Sequence, residues 1–224
     1  CGLGRKGLEL ARDFHEHADR VVVIERDGEN DNVRACRILD IPVLIGDATD
    51  RALLGRARVE RARHVIATCG DDGLNVDVAI LAYELALKAR KAPARPVQCS
   101  VQVSDLRLST LLERHRILTA HPNHFRAGVF NVYQISARRL LAEHPLDHVR
   151  ITPDDARRAH LVIVGFGQMG ECVALQAARI GCFANGRKVR LDIIDLRAST
   201  REKQFRGEHP AVFERCDATF IEGD

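Results

Sequence analysis

The chain has no tryptophan and two tyrosines, and aromatic residues make up only 4% of it. Single-strand nucleic-acid binders and aromatic-rich recognition surfaces stack bases or partners on more rings than this. A dominant charge is missing as well. Lys and Arg number 34 against 31 Asp and Glu, a net charge of +3 over 224 residues, too little to draw phosphate backbones or anionic lipid from a distance. No nucleic-acid partner is expected. The seven cysteines, at positions 1, 36, 69, 99, 172, 182 and 216, are odd in number and form no C-x-x-C pair, so a disulfide framework and a structural zinc motif are both unsupported. Most lie in or beside apolar runs, where a thiol acts as a small buried hydrophobe, and a reducing compartment follows. No apolar run approaches the roughly 18–20 residues of a membrane span, and no signal peptide is visible. A soluble intracellular chain is expected.

What is present is a globular composition, 46% hydrophobic and 29% charged, with room for one large domain or two modest ones. Strand-like runs at 21–25, 42–45, 64–68 and 97–103 alternate with amphipathic stretches beginning at Leu8 and at 75–90, 105–115 and 128–143. β-α alternation of this kind predicts a Rossmann-like, doubly wound parallel sheet. The polar segment 144–159 breaks the periodicity, and beyond it Leu161-Val162-Ile163-Val164 runs into a second glycine turn. Gly2, Gly4 and Gly7 return with the same spacing at Gly165, Gly167 and Gly170, the acid-ended strand at Glu25 returns at Asp195, and Gly46-Asp47 returns at Gly223-Asp224. Two tandem modules are therefore expected: residues 1–143, lacking a first strand, a linker over 144–159, and the start of a second module over 160–224.

A strand, G-x-G-x-x-G, a helix and an acid at the end of the next strand carry a known mechanism. The first glycine allows the tight turn, the second lets the backbone approach a pyrophosphate, and the third lets helix and strand pack closely. Phosphate then sits on the helix N-terminus, where amides are unpaired and the dipole is positive. Glu25 and Asp195 stand near the spacing of a ribose-binding acid, which disfavours a 2′-phosphate, although Arg26 and Arg197 beside them leave NADP open.

These residues resemble the N-terminal nucleotide-binding domain of regulators of potassium conductance (RCK, TrkA-N), found in Trk and Ktr type uptake systems and in gated potassium channels. The likeness covers about residues 1–120 and again 160–224. It rests on Gly2-Leu3-Gly4-Arg5-Lys6-Gly7, Glu25, Gly46-Asp47-Ala48-Thr49, and Ala67-Thr68-Cys69-Gly70-Asp71-Asp72 with Asn75. The resemblance implies NAD(H) or ATP, ADP or AMP as ligand, with Asp47 by the adenine and Arg5 reaching the terminal phosphate of ATP. Gln168 stands where Arg5 does in the second copy. The expected nucleotide site is Gly2, Leu3, Gly4, Arg5, Gly7, Glu25, Arg26, Asp47, Ala48 and Thr68, with Gly165, Gly167, Gly170, Asp195 and Asp224 in the second copy. The implied role is a cytoplasmic sensor at the inner face of the plasma membrane, acting on a potassium channel or transporter subunit or domain and assembling as a homo-oligomer. Helix 128–143, with Val129, Phe130, Val132 and Ile135, is the candidate interface element.

Two other readings stay open. The fold hosts many NAD-dependent oxidoreductases, whose substrate domain would lie beyond Asp224. Neither tyrosine starts a Tyr-x-x-x-Lys pair, since Leu87 follows Tyr83 and Ala137 follows Tyr133 at that spacing. The third reading is a tandem scaffold that binds no nucleotide. Adjacent Asp71 and Asp72 point apart and are read as lining a loop next to ligand. Cys69 is read as a packed thiol, and the basic segment 88–96 as a solvated helix end.

Overall fold

In a computed structural model, residues 1–89, 95–113 and 121–223 are described; most of the basic segment 88–96 and Asp224 lie outside them. The chain divides into two compact units, residues 1–131 and 132–224.

The first unit alternates helix and strand: α1 (Arg5–Glu16), β1 (Val23–Glu25), α2 (Asp31–Ile38), β2 (Val43–Ile45), α3 (Arg51–Arg56), β3 (His64–Ala67), α4 (Asp72–Lys88), β4 (Val97–Gln102), α5 (Leu106–Glu113) and β5 (Phe125–Phe130). β1 pairs with β2, and β3, β4 and β5 pair in that order, every pairing parallel. Residues 1 and 2 lie between the two sheets. The Gly2 amide donates to Ile24 O (2.9 Å), the Thr68 amide donates to Cys1 O (2.9 Å), and the Cys1 amino group donates to Ile66 O (2.8 Å). Below this bridge an apolar cleft is lined by Leu10, Phe14, Val21, Val23, His64 and Ile66. Central strands buried on both faces read as continuous apolar runs. Accordingly Val97, Val101 and Val103 pack against Val78, Ala82 and Ala86 of α4 with almost no exposed surface.

The second unit begins with α6 (Val132–Glu143), followed by β6 (His160–Val164), α7 (Gln168–Ile180), β7 (Val189–Asp195), α8 (Ala198–Glu208), α9 (Pro210–Arg215) and β8 (Cys216–Glu222). Its parallel sheet runs β6-β7-β8. Val189, Leu191 and Ile193 are fully buried in β7, and Phe166, Phe205 and Phe220 meet edge to face beside it.

The helix expected over 128–143 is corrected here. Residues 125–130 are strand β5, paired with β4 from Val97↔Phe125 to Gln102↔Phe130, and the helix starts only at Val132. Asn131 marks the change: its side chain, almost fully buried, donates to Ser104 O (2.8 Å) and closes the first unit. The compact units accordingly divide ahead of α6 and not after it, and α6 packs on α7 within the second unit.

Candidate nucleotide site

The two glycine turns share one geometry. Gly2 and Gly165, at φ +88° and +84°, occupy the left-handed region that only glycine enters without strain. Their amides donate to the ends of the following strands, Gly2 to Ile24 O and Gly165 to Ile194 O (2.9 and 2.8 Å). A Cβ on Gly7 would run into the Gly2 carbonyl oxygen, and one on Gly170 into that of Gly165. Gly4 and Gly167, the middle glycines, face open space within 4 Å. Each is the N-cap of its helix with no side chain bonded back to the amides, so the first-turn N–H groups of α1 and α7 are without a side-chain cap.

The acids at the strand ends bond these turns directly. Glu25 Oε2 accepts from the Leu3 amide (2.7 Å) and Oε1 from the Asp27 amide (3.0 Å). Asp195 repeats this, Oδ2 accepting from Phe166 N (2.7 Å) and Oδ1 from Arg197 N (2.8 Å). These amide bonds hold the Asp195 carboxyl below its ordinary range, ahead of a smaller effect from Arg201 and Arg197. Part of each acid's acceptor capacity is thus spent on orienting the turn, a use the spacing argument did not anticipate.

The remaining predicted residues of the first unit gather at the carboxyl ends of β1, β2 and β3, where an open α/β sheet binds its ligands. Gly46, at φ +149°, donates to Glu25 O (2.8 Å). Asp47 Oδ1 accepts from the Thr49 amide and hydroxyl (2.8 and 2.7 Å), which keeps its carboxyl low, and Arg26 adds a smaller pull. Ala48 is buried under this loop. Thr68 Oγ1 donates to Cys1 O and, at longer range, to Gly2 O (3.2 and 3.4 Å), so Thr68 fixes the turn from the far side. Arg5 is exposed at the start of α1. In the second unit Gly223 N approaches Asp195 O at 3.4 Å, the counterpart of the Gly46 bond, while Asp224 lies outside the described residues.

Asn30 and Asn32 escaped the sequence reading. Both donate to Leu3 O (3.3 and 2.8 Å) and clamp the turn from α2. The polar run Asn30-Asp31-Asn32 that opens α2 is the signal that could have found them. Asn75 is fully buried; its Oδ1 accepts from Cys69 N, and its amide donates to Cys69 O and Gln102 O. Asp71 and Asp72 were expected to line a loop beside ligand. Asp71 caps α4 through Leu74 N (2.9 Å), and Asp72 accepts from the Ser104 and Asp105 amides just past the end of β4. Burial pushes the Cys69 thiol up, which favours its protonated form.

Residues 1–104 match the model of the TrkA-N domain family. Among curated proteins, one from Methanothermus fervidus, described as uncharacterised, is 32% identical over 85 residues, covering 38% of this chain and 13% of that protein. Among solved structures, GsuK bound to ADP is similar over 84% of this chain and 40% of that one, with TM-score 0.54 and 19% identity. The GsuK channel is similar over 93% of this chain and 61% of that one, with TM-score 0.52 and 15% identity. The shared feature is the α/β fold with parallel sheets. The chain thus spans less than two thirds of each of these relatives. No helix among the described residues is long and apolar enough to cross a membrane.

Proposed function

We propose that the first unit senses an adenine nucleotide and that binding biases a conformational equilibrium felt by a potassium channel or transporter. The observation that carries this reading is the first glycine turn: an open Gly4 at the uncapped start of α1, with Glu25, Arg26, Asp47 and Thr68 at or just past the carboxyl ends of β1, β2 and β3. A diphosphate on the α1 amides satisfies donors that no side chain caps. Arg5 and Lys6 add positive charge in that same first turn. The TrkA-N match and the likeness to a channel solved with ADP support the regulatory role over a hydride-transfer enzyme, and regulation of this kind breaks no bond. The coupling requires differential affinity between two states and is typically about 1–3 kcal/mol.

ADP or ATP is the favoured ligand, with NAD(H) as the competitor for the same turn. The second turn suits a multiply charged nucleotide less well, because Gln168 replaces Arg5 and Glu171 puts a carboxylate in the first turn of α7. One architectural point belongs to the proposal. Assembly as a homo-oligomer uses α6, whose Ile135 is half exposed.

Calorimetric titration with ATP, ADP, AMP, NAD and NADH tests the ligand. The expected result is one site per chain, weakened at least tenfold by Gly4→Asp. That substitution fits the open space and the extended N-cap backbone, where Asp is a favoured residue, so it leaves the fold intact while repelling phosphate. Absence of binding by all five nucleotides would favour the scaffold reading.

A further inference from the structure

The second unit departs from the first at the residue after the third glycine. In the first turn this is Leu8, buried with Val33, Cys36 and Ile41. In the second it is Glu171, on the first turn of α7 and only part-buried. Glu171 meets two residues far away in sequence, Glu208 at the end of α8 and His209 at the α8–α9 junction. One ligand atom from each of the three lies within 4.8 Å of the other two.

We propose that Glu171, Glu208 and His209 form a binding site for a first-row divalent transition-metal ion, with Zn²⁺ as the reference case. Three features carry this. The donor set of two carboxylates and one imidazole, with a position left for water, suits Zn²⁺ or Mn²⁺, whereas Ca²⁺ takes oxygen ligands only. The His209 Nε2 to Glu171 Oε1 separation is 3.2 Å. That is longer than the about 2.7–2.9 Å of a charge-assisted hydrogen bond, and nearer the about 3.4 Å between two tetrahedral ligands that each stand about 2.1 Å from one ion. The imidazole is also held in place. Its backbone ends α8 through His209 N to Phe205 O (2.8 Å) and caps α9 ahead of Pro210, and its ring rests 5.2 Å from that of Phe205, itself buried. An ion there ties the start of α7 to the α8–α9 junction and neutralises the carboxylate that otherwise opposes an anion at the second glycine turn. The proposal does not depend on nucleotide binding by the first unit.

Equilibrium dialysis of the chain against Zn²⁺ and, separately, Mn²⁺, with bound metal measured by mass spectrometry, tests it. One ion per chain is expected, with affinity reduced at least tenfold in Glu171→Gln and in His209→Gln and unchanged in Cys182→Ser, which controls for the exposed thiol. Circular dichroism without metal checks that each variant folds, and Glu208→Gln provides a third ligand variant should either of the first two misfold. Failure of the unaltered chain to bind either ion would overturn the proposal. So would unchanged affinity in the folded ligand variants, or binding lost through Cys182→Ser alone. In each of these cases the contact is an ordinary hydrogen bond between His209 and Glu171.

Discussion

At the scale of single residues, the three glycines of each turn do separate jobs. Gly2 needs its positive φ, Gly7 needs to have no Cβ, and Gly4 needs open space in front of it. Gly7→Ala drives a methyl into the Gly2 carbonyl, and backbone on both sides leaves little room to shift. A loss of at least about 2 kcal/mol is expected, in the range of overpacked cores. Gly4→Ala, with no neighbour within 4 Å, should stay within about 1 kcal/mol of the unaltered chain. Urea denaturation of the two variants checks the contrast; equal losses would show that the turn is not built this way. The glycine spacing was legible in the sequence because backbone geometry dictates it. The bonding of Glu25 was not, since an acid near a ribose site reads the same whether it holds ligand or the Leu3 amide.

At the scale of elements, each glycine turn is joined to the neighbouring strand end by a carboxylate, and the second copy offers the cleaner test. Amide bonds from Phe166 and Arg197 hold Asp195 below its ordinary value of 3.8. A carboxyl whose folded value is depressed adds stability that is fully present above the unfolded value and lost as pH falls through the folded one. Asp195→Asn should therefore cost about 1–2 kcal/mol at pH 7, as for hydrogen bonds to a charged acceptor, and the difference from the unaltered chain should shrink below about pH 4. Denaturant unfolding at pH 7 and pH 3 measures it, and a difference unchanged between the two would contradict the link. Elements were legible where local pattern decides them, as in α7 and β7. Strand β5 was not. Phe125–Phe130 contains Arg126 and Gly128 and owes its form to pairing with β4, a contact distant in sequence, so Val129, Phe130, Val132 and Ile135 read as one helix face. The start of α4 was likewise read late, because the cap from Asp71 sets it.

On the scale of the whole molecule, one turn is used twice with different surroundings. Both copies keep the positive-φ first glycine, the close third glycine and the acid on the turn amide. They diverge in the first helical turn, where Arg5, Lys6 and Leu8 give way to Gln168, Met169 and Glu171. The duplication could be read from motif order alone, but the divergence gained meaning only when folding brought Glu171 to His209. The central claim is that the amides opening α1 hold the phosphates of an adenine nucleotide. Hydrogen exchange of the chain with and without saturating ADP tests this most directly. Slowed exchange at the amides of residues 4–8, with smaller changes near Asp47 and none at the second turn, is the predicted result. Unchanged exchange at residues 4–8 while ADP is bound would contradict it.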